Sequence, residues 1–295
     1  MRRRTCCSSC SIPASGSSGD AMRKGLAAIE LAAGLGIALL FLALLVAGPW
    51  IEPFDPAVGQ LRDRFKPIGA GAHWLGTDHL GRDLLSRVLA GVGWSVTCAV
   101  AATAISAVIG IALGLIAAER EGAARAVVLQ AVNTVVAFPG LVIAICVIAV
   151  IGQGFLPLVL TLGLLNWPVF ARVTYAEGRS LMARPYVLAA RLSGTSRLAV
   201  LLGHVLPALG PTLAVVLAFH LADMLIAEAA LSFLGIGAPV NQPAWGTMLA
   251  ESRQYLFKAP QMLVVPAGAI VAIVVAANLI GDGIARRHGI KARAR

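Results

Sequence analysis

Asp223 and Glu228 stand inside an apolar run of the chain, between Thr212 and Leu234, where few charges occur. Placing a carboxylate at the centre of a membrane helix costs about 2.5–3.5 kcal/mol on insertion scales, so each must face protein or water rather than lipid. Five positions apart, they differ by about 140° around a helix of 3.6 residues per turn, a poor geometry for one shared site. Two uses stay open for each: a structural hydrogen bond, or the lining of a polar path. An intramembrane aspartyl protease would pair Asp223 with Asp282, yet Asp282 ends the last apolar run and no Gly-x-Gly-Asp string occurs. Cys6, Cys7 and Cys10 have no second ligand pair downstream, and Cys98 and Cys146 sit in apolar runs, so the thiols are expected to bind no metal. His204 and His220 lack a histidine or cysteine partner at helical spacing and are expected to be packed or interfacial. A phosphate-cradling Gly-x-x-x-x-Gly-Lys-Ser/Thr string is absent, and Leu192-Ser-Gly-Thr195 lacks the second Gly and the Gln of the ATPase signature it superficially matches. The chain is expected to carry no catalytic residue and no cofactor of its own.

The elements that must hold these residues follow from composition. Of 295 residues 58% are hydrophobic and only 13% charged, against about 25% charged in a soluble domain, and the mean hydropathy is +0.84. A chain this apolar cannot cover a water-facing surface, which leaves an all-α integral membrane protein. The net charge of +10 does not point to nucleic acid, because the Lys and Arg lie between apolar runs instead of gathering on one soluble face. Six spans are expected, near Leu26 to Gly48, Gly93 to Ala118, Ala126 to Ile151, Phe155 to Tyr175, Thr212 to Leu234 and Pro260 to Gly281. Gly152-Gln153-Gly154 reads as the tight turn between the third and fourth. With the N-terminus inside, 17 Lys and Arg fall in inner segments and 7 in outer ones, so both ends are expected in the cytoplasm of a cell membrane. Residues 1–25, rich in Ser, Gly and Cys, read as disordered, with Met22 an alternative start to Met1. A loop over 49–92 is expected outside, a core over 93–283, and a basic inner tail over 284–295. The stretch Arg82 to Val92 reads as an amphipathic helix, either a surface anchor or a rim for a partner.

The inner connection 176–211 is too long for a turn, and long ordered loops are usually functional. It holds Leu188-Ala189-Ala190, then Gly194, then nine residues and His204-Val-Leu206-Pro207. Ala-rich sequence favours a short helix, Gly194 ends it, and a second surface helix would follow before the next span. This register resembles the cytoplasmic loop of permease subunits of ATP-binding-cassette importers, Glu-Ala-Ala, three residues, Gly, nine residues, Ile-x-Leu-Pro, with Leu188 in place of the Glu and His204 in place of the Ile. Further strings resemble the C-type permeases of dipeptide, oligopeptide and nickel importers: Leu75-Gly-Thr-Asp-His-Leu-Gly-Arg-Asp-Leu-Leu-Ser-Arg87, Ala137-Phe-Pro139, Glu228-Ala-Ala-Leu-Ser-Phe-Leu-Gly235 with Trp245-Gly246, and Asn278-Leu-Ile-Gly-Asp-Gly283.

The resemblance implies the fold of a type I importer permease in a prokaryotic membrane and half of a transmembrane pathway. A second permease, two cytoplasmic ATPases that bind ATP and Mg, and an extracytoplasmic binding protein would complete it. Ala189, Ala190, Gly194, Leu206 and Pro207 would form the ATPase-coupling loop, and Asp223 and Glu228 would be the path or structural acids. The substrate would be a di- or oligopeptide, or alternatively nickel or another small solute. A secondary transporter or channel driven by an ion gradient is the rival from another class, and dependence on ATPase subunits separates the two.

Overall fold

The computed structural model describes residues 16–239 and 242–290. Met1, Cys6, Cys7, Cys10 and the last cations of the basic tail, 291–295, lie outside the described residues. The described residues are 77% helical, with no strand among them. In order the helices are α1 (Gly16–Ile51), α2 (Leu84–Glu119), α3 (Ala123–Val136), α4 (Gly140–Ile151), α5 (Phe155–Met182), α6 (Pro185–Leu192), α7 (Arg197–Val200), α8 (Leu206–Phe233), α9 (Trp245–Ser252) and α10 (Gln261–Arg287).

Five helical stretches are long and apolar enough to cross a membrane, and the pair α3–α4 makes a sixth if it counts as one span. Arg286 of α10 meets Glu30 of α1 at 3.0 Å, so both ends of the described chain lie on one side of the bundle together with α6. The loop between α1 and α2, with α9, lies on the other side.

Small residues let the spans approach closely, the usual basis of helix association in lipid. A methyl added at Gly114 of α2 would stand 2.8 Å from the Ala171 carbonyl of α5, and one at Gly34 of α1 would stand 2.8 Å from the Ala276 carbonyl of α10. The Ser106 hydroxyl ties α2 to α5 by donating to the Gly163 carbonyl at 2.9 Å. Of the three apolar clusters among the described residues, two bear on the sites described below. One, around Val92, Leu225, Trp245, Met248 and Met262, joins the α9 side to the spans. The other, around Phe170, Met182, Val187, Val200 and Leu209, lies beneath α6.

Several expectations are corrected. The third span is not one helix, because Pro139 lacks the N–H that would continue α3 and pushes Phe138 out of helical backbone, and α4 leaves at 82°. The inner connection is shorter than 176–211: α5 runs on to Met182, and Arg197–Phe233 forms one span, so no second surface helix precedes it. Residues 16–25 are helical instead of disordered, since extending an existing helix costs far less than nucleating one. The stretch Arg82 to Val92 is no surface helix either. It enters α2 directly, and Arg87 is only 3% exposed.

Candidate functional site

Three features place α6 as a seated yet exposed element. Its entry is set by Pro185 at the first helical turn, where a missing N–H costs nothing and the fixed φ suits a helix. Its exit is a left-handed turn: Gly194 has φ +82°, its N–H donates to the Arg191 carbonyl at 3.1 Å, and the Thr195 N–H reaches back to the Ala190 carbonyl at 3.2 Å. These paired bonds are a Schellman cap, which needs a residue that tolerates positive φ. The Ser193 hydroxyl adds a bond to the Ala189 carbonyl at 3.0 Å. Between the two ends Val187, wholly buried, drives into the apolar cluster of Met182, Val200 and Leu209.

The outward face is apolar in turn. Tyr186 and Leu188 are about half exposed, and Leu192 is 89% exposed, with Leu198 of α7 exposed beside the turn in sequence. Arg184, Arg191 and Arg197 are also exposed there. Arg197 comes to 3.6 Å from Glu119 at the end of α2, and Arg191 donates to the Met182 sulfur at 3.1 Å. Exposed apolar side chains thus gather on and beside this one short element.

Leu206 and Pro207 serve a different place. Pro207 has no N–H to offer the preceding turn, and the backbone widens into a π turn over Leu201–Val205 before α8 begins. The structure thus puts Ala189, Ala190 and Gly194 on α6 and its cap, and Leu206 and Pro207 inside the following span. Fourteen residues, 183–196, separate α5 from that span and hold α6 between them.

On the other side, Glu228 is wholly buried. Its Oε1 accepts from the Ser232 hydroxyl at 2.8 Å, and Ser232 Oγ accepts from the Ala238 N–H at 3.1 Å, which ties the end of α8 to the chain leaving it. Ser95 and Trp94 of α2 stand beside the carboxylate. Trp245 donates from its backbone N–H to Ser95 Oγ at 3.3 Å and from its indole to the Val88 carbonyl at 3.1 Å. Gly246 fits so closely against Ala229 and Ser232 that a methyl there would collide with both. Glu228, Ser232, Trp245 and Gly246 therefore form one joint between α2, α8 and α9. Asp223, by contrast, lies on an exposed face of α8, and the two acids are not brought together. Of the histidines, His220 is buried edge-on against Phe170, with ring centroids 4.9 Å apart, and His204 is exposed.

A charge cluster that sequence reasoning missed locks the loop between α1 and α2. Asp78 accepts from Arg82 Nε and Arg87 Nη1, both at 2.6 Å, and from the N–H groups of Leu80 and Arg82. Glu251 of α9 accepts from Arg87 at 2.6 and 3.2 Å and from Arg82 at 3.1 Å. Burial alone would raise both carboxyls. The guanidiniums of Arg87 and Arg82, helped at Asp78 by backbone N–H groups, outweigh it and hold both below the usual carboxylate range. Asp83 caps α2 by accepting from the Ser86 N–H at 2.8 Å, and His73 meets its other oxygen at 2.9 Å. Asp78, His79 and Glu251 are close enough to suggest a metal site, but two guanidiniums already fill the space and charge a cation would take. The available signal was four charges, Asp78, Arg82, Asp83 and Arg87, within one short string of a chain that has few.

Comparison with known proteins gives a consistent result. The family described as binding-protein-dependent transport system inner membrane component matches residues 110–292. A glutathione transport system permease protein of Pectobacterium atrosepticum is 34% identical over 256 residues, covering 87% of this chain and 85% of the relative. A di/tripeptide transport system permease protein of Pseudomonas aeruginosa is 34% identical over 256 residues, covering 83% and 84%. A glutathione transport system permease protein of Escherichia coli is 36% identical over 246 residues, covering 83% and 81%.

Proposed function

Since the chain belongs to the family of binding-protein-dependent transport system inner membrane components, and is a multi-pass membrane permease of the ATP-binding-cassette importer class, we propose that it forms half of a pathway for small peptides and takes its driving force through α6. The observation that carries the proposal is the build of α6: clamped inward by Val187, capped at Gly194, and apolar outward at Tyr186, Leu188 and Leu192.

A coupling element must differ in contact between two states of its partner, because a contact of equal strength in both shifts no equilibrium. α6 suits this work, being rigid in itself and joined by short connections to α5 and to the Arg197–Phe233 span. Cytoplasmic ATPase subunits, which supply ATP and Mg, would seat on this face. A second permease would complete the pathway, and an extracytoplasmic binding protein would deliver solute on the α9 side. Both ends of the chain would then be cytoplasmic, in agreement with the excess of Lys and Arg in the segments on that side. The chain itself would hydrolyse no ATP.

Peptides are the favoured solute because the relatives of comparable length carry glutathione and di/tripeptide transport in their names. The test is ATP hydrolysis in vesicles holding this chain, the second permease, the ATPases and the binding protein. A di- or tripeptide should stimulate hydrolysis and be taken up, the chain alone should hydrolyse nothing, and nickel should have no effect. Stimulation by nickel and not by peptides would replace the substrate, and hydrolysis by the purified chain alone would defeat the division of labour.

A further inference from the structure

Two grooves follow one another along α1 where it packs on α10, remote from α6. One, of about 460 Å³, is walled by Ala28, Leu31 and Leu35 of α1 and closed at its end by Arg287 of α10. The other, of about 450 Å³, lies further from the chain ends and is walled by Leu42 of α1, Ile273 and Ile280 of α10, Val96 and Val100 of α2 and Leu221 of α8. Ala28, Leu35 and Leu42 are seven residues apart, as are Ile273, Ile280 and Arg287. That spacing drifts only about 20° per seven residues on a straight helix, so both grooves line the same stripe of each helix and follow one another along the pair.

The charges at the end are unequal. Arg286 is neutralised by Glu30 at 3.0 Å. Arg287 is exposed and has no ion pair among the described residues. Asp282, five positions away, points about 140° round α10 from it. Among the described residues, Arg287 is the cation without an ion pair at the membrane end of this apolar trough. From Ala28 to Leu42 the trough is about 21 Å long at 1.5 Å per residue, within a hydrocarbon core of about 30 Å and long enough to take one acyl chain.

We propose that this trough holds one anionic phospholipid, its phosphate on Arg287 and an acyl chain against Ala28, Leu35 and Leu42. A basic residue at the mouth of a crevice between membrane helices is the arrangement that selects anionic headgroups. The site shares with the permease assignment only the membrane-spanning topology, and lipid retention is measured without transport or ATP, so failure of either is visible separately.

The test uses the complete importer in lipid nanodiscs of mixed phosphatidylglycerol and phosphatidylcholine, with the lipid retained by this chain after release into detergent counted by native mass spectrometry. Wild-type chain should keep phosphatidylglycerol in preference to phosphatidylcholine. Arg287→Gln should lower that retention by about fivefold, the effect of one cation near a membrane surface, while Arg287→Lys keeps it. Ala28→Phe, which fills the trough and leaves the cation, should lower it too. Replacing Lys291, Arg293 and Arg295 with Gln should leave it unchanged. Equal retention of the two lipids, wild-type retention in Arg287→Gln or in Ala28→Phe, or a loss in the tail variant as large as in Arg287→Gln would each overturn the proposal. Unfolding of the variants in lipid-free detergent at the wild-type temperature separates lost lipid from lost structure.

Discussion

At the scale of residues, Glu228 shows what the type of a side chain reveals and what its neighbours decide. A carboxylate in an apolar run had to be satisfied by protein or water, and that much was readable. Whether it lined a path depended on Ser232, Ser95 and Trp245, two of them more than 100 positions apart in sequence, so only the fold could place it in a joint. Acting as that joint, Glu228→Gln should leave assembly and uptake near wild type, because the amide keeps the polar capacity that Ser232 uses. Glu228→Leu leaves the buried Ser232 hydroxyl without its acceptor and should cost about 1–3 kcal/mol. Thermal unfolding of the two variants in detergent measures this. Uptake that fails in Glu228→Gln at full stability would return the residue to the pathway.

Elements were legible where they follow local composition and illegible where they follow distant partners. The apolar runs announced the spans, and Gly194 announced the end of α6. The stretch from Arg82 to Val92 has an amphipathic pattern that also suits a surface helix, and the partner of its Arg87, Glu251, lies 164 residues further on. The bend after α3 was visible only as Pro139 in a run long enough to pass for one helix. The outer lock makes a prediction of its own. Asp78 and Glu251 have folded-state pKa values held below their ordinary 3.8 and 4.5. A depressed carboxylate stabilises the fold above its ordinary pKa, and that contribution is lost as pH falls through the folded value. Hydrogen exchange over residues 60–83, corrected for the intrinsic rate, should therefore stay slow from pH 7 to pH 5 and rise only below about pH 4. Opening already at pH 6, or none at pH 3, would show that these ion pairs do not hold the loop.

For the whole molecule, the division of charge predicts the topology. Reporters fused after Gly154 and Trp245 should read outside, and those after Arg184 and at the C-terminus inside; a fusion at Arg184 scored as external would overturn the orientation of α6 and every contact assigned to it. What the sequence could not carry is how α6 is fastened. The cap explains why: Gly194 sits at φ +82° with open space around the position a side chain would take. In the lone chain Gly194→Val therefore suffers from backbone conformation, about 1–2 kcal/mol for a left-handed L-residue, and crowding arises only against a docked subunit. The claim that α6 transmits the work of ATP hydrolysis is tested most directly by uptake per ATP in vesicles holding the complete importer with Gly194→Val beside wild type. The account predicts a variant that inserts and pairs with the second permease but loses its ATPase subunits on purification, or hydrolyses ATP without uptake; wild-type docking with wild-type uptake per ATP would contradict it.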